Sequence, residues 1–288
     1  MSIVEVHNLS KQFGSHKVLQ DISFSIEQGE IFGYLGPNGA GKSTTLRCIM
    51  DFIHPSSGAI SLLGNDAQTD SVVLKNDIGY VPAEPILYAD LTGRQHINFI
   101  NNSSSNTMKY AHELSEIFSF DTTKKVKELS TGNQQKLALI LALARRPKLL
   151  ILDEPTRGLD PLLRSVLHTV LRKYQTEGGT VLLSSHDLSE VEELCSRVAI
   201  IREGKLVKDT TIDKLRQEQG HIIKARFEGT VPDFTGSHVV VTSSSAHSVQ
   251  CLVKGDLQPI LSLLAKNHVK ELQVNSASLE DIFMEMYT

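Results

Sequence analysis

The chain has 288 residues, of which 40% are hydrophobic and 22% charged, and its net charge is −4. These values are typical of a soluble globular protein with one large domain or two, each with its own core. They argue against broad nucleic-acid binding. Three separated cysteines, Cys48, Cys195 and Cys251, favour reduced cytosolic thiols over a disulfide framework.

The first thirty residues are predicted to form β-strands. Residues 3–6 and 22–26 alternate apolar and polar side chains, and Gly14 lies between them. Phe13 is interpreted as a half-buried aromatic residue of the intervening loop. An alternative stays open, in which its ring is a platform on which a nucleobase stacks.

The most specific stretch lies between a buried strand predicted at 30–35 and a helix predicted at 45–53. It consists of Gly36, Pro37, Asn38, Gly39, Ala40, Gly41, Lys42, Ser43 and Thr44. This order matches the phosphate-binding pattern G-x-x-x-x-G-K-[ST]. The strand before it and the helix after it favour that interpretation over an incidental glycine-rich turn.

The residue types in this loop explain how it would bind an anion. Gly36, Gly39 and Gly41 are expected to take positive φ, which lets backbone N–H groups turn inward around a phosphate. The N-terminus of the following helix adds a partial positive charge. Lys42 supplies a point charge for the outer phosphates, and the Ser43 hydroxyl is placed to bind Mg²⁺.

The middle of the chain is predicted to be helical. Strands at 58–64 and 78–81 precede it, and the pattern changes at about residue 85. The predicted helices cover residues 92–100, 107–118 and about 133–145, with a polar linker at 101–106. We interpret this stretch as a helical insertion within an α/β domain.

Buried strands then return. Residues 148–152 form a continuous apolar run of the kind found in parallel strands buried on both faces, and residues 180–185 are predicted to form another buried strand. A helix is predicted between them at 161–174, and a hairpin follows at 198–207. Because ligands of open α/β sheets bind at the carboxyl ends of the strands, His186 stands at a functional edge.

Acidic residues mark the same edge. Asp153 is in the usual position to hold Mg²⁺, and Glu154 is placed to act as the base for an attacking water. A solvated strand end is the alternative for both. Asp160 has a simpler explanation as the N-cap of the next helix. His186 is a functional candidate because it ends a strand neighbouring the acidic one.

Ser130 and Gly132 open the helix predicted at about 133–145. They are explained either by a serine cap or by a second anion site at an exposed helix N-terminus. Within one subunit this second site has no obvious phosphate to bind. The anion-site interpretation therefore implies dimerisation.

The remainder, from about residue 218, is predicted to be a small α+β domain without a chemical motif. Its predicted elements are strands at 223–227, 239–241, 249–253 and 269–274, a helix at 257–264, and a terminal helix opened by Ser278.

No stretch has the character of a signal peptide or a membrane span. The N-terminus lacks a basic region and an apolar core. The longest apolar run, residues 137–144, is too short to cross a bilayer. If the protein functions at a membrane, another chain must supply the spanning helices.

Taken together, the motifs resemble those of ABC-type ATPases, and the chain is similar to the nucleotide-binding subunit of an ABC transporter. The resemblance covers residues 1 to about 217 and rests on five motifs in family order, at 36–44, 129–133, 150–154, 158–160 and 185–186. The signature L-S-x-G-N-x-Q-K and the tail at 278–283 resemble the branch in which the ATPase pairs with a separate exporter permease.

The resemblance implies a fold and an assembly. Residues 1–217 would form a P-loop NTPase (RecA-like) core with a β subdomain and a helical subdomain at about 85–146, and residues 218–288 an accessory α+β domain. Two subunits, identical or different, would sandwich two ATP molecules. The ATPase would lie on the cytoplasmic face of the membrane, bound to the transmembrane permease, with no nucleic acid as a partner.

The resemblance also implies a role for each motif residue. Phe13 would stack on adenine and residues 36–44 would hold the phosphates. Ser43 and Asp153 would bind Mg²⁺, Glu154 would be the base, and Lys42 and His186 would contact the γ-phosphate. Asp160 would make a contact across the dimer, and Ser130 and Gly132 would complete the partner's site.

Two positions depart from the family pattern. Ala83 stands where the family usually has a glutamine that touches Mg²⁺ and signals to the permease, and Glu84 follows it. Asn133 replaces the commoner glutamine of the signature but keeps an amide. Two other hypotheses stay open: a soluble ABC-type ATPase of translation or DNA repair and, because of Ala83, a regulator that binds nucleotide without hydrolysing it.

Overall fold

The computed structural model describes residues 1–100, 105–217, 220–234, 239–253 and 255–276. The chain divides into two compact units, Met1–Thr210 and Thr211–Thr288. This division falls before the boundary predicted at 217–218. The predicted terminal helix opened by Ser278, and the tail at 278–283, lie outside the described residues.

The first unit combines strands and helices along its whole length. Its strands are β1 (Ser2–Phe13), β2 (His16–Glu27), β3 (Ile31–Leu35), β4 (Ser57–Leu62), β5 (Asn65–Asp66), β6 (Ile78–Val81), β7 (Leu149–Asp153), β8 (Thr180–Ser185), β9 (Arg197–Arg202) and β10 (Lys205–Thr211). Its helices are α1 (Lys42–Ile49), α2 (Ser71–Leu74), α3 (Gly93–Ile100), α4 (Ser105–Ile117), α5 (Thr131–Ala144), α6 (Pro161–Thr176) and α7 (Leu188–Leu194).

The central sheet has the strand order β10-β9-β3-β8-β7-β6, and the pairs from β9 to β6 are parallel. Every residue of β3, β7 and β8 is buried, as the continuous apolar runs predict. The register sets Leu35 opposite Ser185 and Asp153 opposite Ser184. The carboxyl ends of the three strands therefore meet at one edge of the sheet.

A second, antiparallel sheet has the order β2-β1-β4-β5. Its first two strands each contain 12 residues and extend well beyond the predicted runs, because register shifts let them stay paired past the alternating segments. Their buried side chains share a core with the central sheet and α1, in which Ile22, Phe32 and Leu46 pack. The α/β core with a β subdomain is thus confirmed.

The helical insertion is confirmed as α3, α4 and α5. The prediction for α1 is wrong at both ends, since the helix begins at Lys42 and ends at Ile49. Gly41 takes a left-handed conformation immediately before Lys42, so the helix begins within the 36–44 stretch, and Asp51, also left-handed, follows its end. No helix in the described ranges has the length and apolar character needed to cross a membrane.

The second unit is the predicted small α+β domain. Its elements are α8 (Ile212–Gln217), β11 (His221–Phe227), β12 (Val239–Ser244), β13 (Ser248–Val253), α9 (Gln258–Ala265) and β14 (Val269–Ser276). The strands pair in the antiparallel order β12-β13-β11-β14. Alternate residues such as Ile223 and Cys251 form a separate core with Ile260 and Leu264 of α9.

The turn between β9 and β10 joins both sheets of the first unit. Gly204 N donates to Ala40 O at 3.0 Å, and Gly204 O accepts from Gln20 N at 2.7 Å. Gly204 has φ of +74°, and a Cβ there would lie 2.1 Å from Val18 O. Only glycine fits this contact, which ties the loop at 36–44 to β2.

We predict that Gly204→Ala destabilises the first unit more than a glycine substitution of equal backbone strain. Gly64 has φ of +81° and open space around its Cβ position, so Gly64→Ala should cost about 1–2 kcal/mol for the left-handed backbone alone. Gly204→Ala adds a backbone clash to that strain. Urea unfolding of the two variants measures the difference, and equal free energies of unfolding would contradict the role of the turn.

Candidate functional site

The loop at 36–44 lies at the carboxyl edge of the central sheet. Gly39 and Gly41 have φ of +82° and +107°, as expected. The expectation is wrong for Gly36, which does not take positive φ. Glycine is required at position 36 for a steric reason, because a Cβ there would lie 2.4 Å from Ile201 O in β9.

Lys42 is almost completely buried, with 5% of its side chain exposed. Its Nζ donates to Gly36 O at 2.7 Å and to Pro37 O at 3.2 Å. The same atom lies 3.2 Å from Glu154 Oε1. A buried ammonium needs such partners, and they hold its charge over the loop.

The start of α1 is held by a hydrogen bond from Thr45, a residue that the sequence analysis did not single out. Thr45 is fully buried, and its hydroxyl donates to Gly41 O at 3.1 Å. The Tyr34 hydroxyl lies 3.2 Å from Thr45 Oγ1, and burial raises the pKa of Tyr34 above its ordinary value. Ser43 and Thr44 remain partly exposed, and no side chain caps this helix N-terminus among the described residues.

Asp153, at the end of β7, is 1% exposed. Its carboxylate accepts a hydrogen bond of 2.6 Å from the Ser184 hydroxyl. Ser184 Oγ in turn accepts from Glu154 N at 3.1 Å. Ser184, which the sequence analysis assigned only to a buried strand, thus positions both acidic residues.

Glu154 has φ of +48°, an uncommon conformation for a residue with a side chain. Such strain persists where surrounding contacts enforce it, and it is concentrated at functional sites. The carboxylate lies between two groups, with Oε1 3.2 Å from Lys42 Nζ and Oε2 3.2 Å from His186 Nδ1. The fold therefore brings Lys42, Glu154 and His186 into one row.

Two other candidates act as helix caps. Ser130 Oγ accepts from Asn133 N at 3.4 Å, and Asp160 Oδ1 accepts from Leu163 N at 2.9 Å. Gly132 lies against the turn after Glu154, because a Cβ there would be 3.0 Å from Gly158 O. Their predicted roles across a dimer remain predictions.

Phe13 is the last residue of β1, so its assignment to a loop is wrong, whereas its side chain is half-buried as expected. The side chain is 51% exposed. Lys11 Nζ lies 4.8 Å from the centre of the ring. Stacking of this ring on a base remains a prediction.

The segment after β6 carries the departure from the family pattern. Ala83 has no polar side chain, and the exposed Glu84 carboxylate pairs with Arg157 Nη1 at 3.1 Å. Arg157 N donates to Glu154 O at 3.1 Å. Glu84 is therefore connected to the turn that carries Glu154.

Beside this segment is a groove of about 880 Å³ that the sequence analysis missed. Its lining includes Phe52 and Tyr80, whose rings meet edge to face with their centres 5.3 Å apart. Burial and the Asp153 carboxylate raise the pKa of Tyr80 to about 12, so its phenol stays neutral. Ile86, at the rim, is 96% exposed.

The donor set near the loop suits one kind of metal. Asp153 and Ser43 supply a carboxylate and a hydroxyl, the oxygen ligands that Mg²⁺ takes together with waters and phosphate oxygens. Among the described residues, no three His, Cys, Asp or Glu side chains cluster as a self-sufficient metal site. The carboxylate and the hydroxyl are of the oxygen type that Mg²⁺ accepts alongside phosphate oxygens.

Several known proteins are similar to this chain in sequence and in fold. The family model for the ABC transporter matches residues 19–157. The chain is 32% identical to the ABC transporter ATP-binding protein YhcH of Bacillus subtilis over 296 aligned positions, covering 99% of this chain and 96% of YhcH. It is 31% identical to Nod factor export ATP-binding protein I of Burkholderia lata, over 98% of this chain and 96% of that protein.

A solved structure of an ATP-binding subunit of an ABC transporter superimposes with a TM-score of 0.71. It is 30% identical in sequence, and the match covers 75% of this chain and 92% of that structure. Since the sequence similarity extends over nearly the whole chain, and the phosphate loop lies at the expected edge of the sheet, the protein belongs to the ATP-binding subunits of ABC transporters, a family of ATPases.

Proposed function

We propose that this ATPase subunit dimerises head-to-tail around two ATP molecules and drives a separate membrane permease, in the direction of export. The observation that carries the proposal is the row of Lys42, Glu154 and His186 at the mouth of the phosphate loop. This row provides a cation for the γ-phosphate and a carboxylate for the attacking water. It would work on the cytoplasmic face of the membrane.

The nucleotide would lie along the loop and the start of α1. The residues at 36–44 would hold the phosphates, and Phe13, half exposed at the end of β1, would stack on adenine. Ser43 and Asp153 would hold Mg²⁺, which when bound neutralises charge on the β- and γ-phosphates. The hydrogen bond from Ser184 keeps one Asp153 oxygen fixed for this purpose.

Hydrolysis follows from the charge balance of the row. Before ATP binds, Glu154 neutralises Lys42. A γ-phosphate near Lys42 would take over that role, because it carries more negative charge than one carboxylate. Glu154 would then be released to accept a proton from water. His186, 3.2 Å from Glu154 Oε2, would keep the carboxylate aimed and contact the γ-phosphate.

The partner subunit would complete each site. Ser130 opens α5 with an exposed side chain, and its helix N-terminus favours an anion. Gly132 and Gly158 lie together beside it, which leaves the backbone open to close approach. A second ATP-loaded subunit would bring its γ-phosphate to this surface. Asp160, two residues after Gly158, would contact the second subunit across the dimer.

The permease would dock in the groove beside β6. Its lining combines apolar residues, including the exposed Ile86, with charged residues such as Arg145, which suits an amphipathic segment of a membrane protein. The pair of Glu84 and Arg157 connects this groove to the turn of Glu154. Docking and hydrolysis would thus be coupled although Ala83 has no polar side chain. A relative named for Nod factor export supports the proposed direction.

We predict that Glu154→Gln abolishes steady-state ATP hydrolysis and traps an ATP-bound dimer. The amide keeps the size of the side chain but accepts no proton, so the rate should fall by about 10²- to 10⁴-fold. Phosphate release and size-exclusion chromatography with Mg²⁺ and ATP measure the two effects. Glu116→Gln, an exposed change on α4, is the matched control, and full turnover in Glu154→Gln would refute the assignment of the base.

We predict that Ile86→Asp weakens binding to the permease without changing ATP hydrolysis by the isolated subunit. A charge at the rim has to be desolvated when an apolar segment docks, which costs several kcal/mol if it finds no partner. Binding is measured by purifying the subunit from native membranes and then identifying and quantifying the membrane-spanning permease that co-purifies. Val72→Asp, which changes an exposed apolar residue outside the groove, is the control, and unchanged stoichiometry in Ile86→Asp would refute the docking site.

A further inference from the structure

A buried pair of titratable residues lies behind the row and has no role in the proposed reaction. His168 of α6 and Glu190 of α7 are 7% and 6% exposed. His168 Nε2 lies 4.0 Å from Glu190 Oε1. Both atoms, and His168 Nδ1, lack a hydrogen-bond partner among the described residues. Burying such groups is costly unless they carry opposite charges.

The pair is connected to the row through one residue. The Ser185 hydroxyl donates to Glu190 Oε2 at 2.6 Å, and it accepts from Asp187 N at 3.0 Å. Ser185 O accepts from Gly36 N at 3.2 Å. Ser185 therefore fixes both the first glycine of the phosphate loop and the turn that begins with His186.

The charges around the pair favour a protonated histidine. The Glu190 carboxylate, together with Glu193 at 3.3 Å from Nδ1, raises the pKa of His168 above its ordinary value, and this outweighs the effect of burial. Burial and the negative charge of Glu190 raise the pKa of Cys195, so that thiol stays neutral.

The nearby cations are engaged elsewhere. Arg172 donates to the Glu193 carbonyl, and Arg164 pairs with Asp187 at 3.8 Å. Glu30 adds a further negative charge near Cys195. Within the described surroundings, His168 is thus the cation that faces the Glu190 carboxylate.

We propose that protonated His168 and the Glu190 carboxylate form a buried positioning pair that holds the Ser185 hydroxyl and thereby fixes His186 against Glu154. The inference rests on the proposed role of His186 at the γ-phosphate. With His168 protonated, the Glu190 carboxylate has a cation beside it and accepts from Ser185. When His168 loses its proton, the buried carboxylate loses the cation that offsets the cost of its burial, and its contact with Ser185 is loosened.

The direction of the pH effect follows from the raised pKa of His168. The pair is intact at low pH and is lost as the pH rises through that pKa, which lies above the ordinary histidine value of about 6.5. Hydrolysis should therefore decline on the alkaline side, in kcat more than in KM, because positioning of His186 changes and ATP binding to the loop does not.

The test compares kcat and KM for Mg²⁺–ATP of the full-length protein from about pH 6 to about pH 9, a range that spans histidine titration. We expect His168→Gln to lower kcat by about tenfold or more near neutral pH, with KM changed less than about twofold, as for a misplaced catalytic group. The decline of kcat at alkaline pH should be absent in His168→Gln. Glu190→Gln should also lose the decline, and the double variant should behave like either single one.

His112→Gln, the same change at an exposed position of α4, should keep the wild-type profile. A wild-type profile in His168→Gln, while Glu154→Gln is inactive, would overturn the positioning pair and leave the proposed function intact. Lower kcat with an unchanged alkaline decline would mean a packing role only and would also overturn it. If His168→Gln does not fold, Glu190→Gln decides by the same readout. Full turnover in Glu154→Gln would instead refute the proposed function.

Discussion

The first unit depends on the balance of one buried charge, the ammonium of Lys42. A group that is 5% exposed has to be neutralised in place, and Glu154 together with two loop carbonyls does so. Strand register brings the loop, the end of β7 and the turn after β8 to one edge, and the buried charge pairs there with the carboxylate of Glu154. In the proposed function, a phosphate of ATP would compete with Glu154 for the same ammonium.

Two consecutive serines at the end of β8 illustrate how strand geometry distributes such control. Successive side chains of a strand point to opposite faces. Ser184 donates to Asp153 on one side, whereas Ser185 donates to Glu190 on the other. One strand end thus contacts the carboxylate proposed for Mg²⁺ and, through the hydrogen bond from Asp187 N to Ser185, the turn of His186. Neither hydroxyl is assigned a role in the reaction itself, but each hydrogen-bonds a carboxylate next to the proposed site.

Backbone constraints do the rest. Glu154 takes a left-handed conformation that its side chain disfavours, and hydrogen bonds from its N–H to Ser184 enforce it. Gly36 has an ordinary φ but no room for a Cβ, because Ile201 of β9 packs against it. The conformation of the site is therefore imposed by neighbouring strands and not by the loop alone.

The sequence by itself determined the order of elements, the phosphate loop, and the acidic end of β7, because these depend on local patterns: apolar runs, glycine spacing and a lysine before a helix. Only the tertiary structure decided which partners those residues have. Thr45, Ser184 and the pair of His168 and Glu190 come from separate segments, and their contacts depend on strand register and helix packing, which no local pattern encodes. The start of α1 and the end of β1 also depend on the fold. A left-handed Gly41 precedes α1, and the pairing of β1 with β2 extends to Phe13.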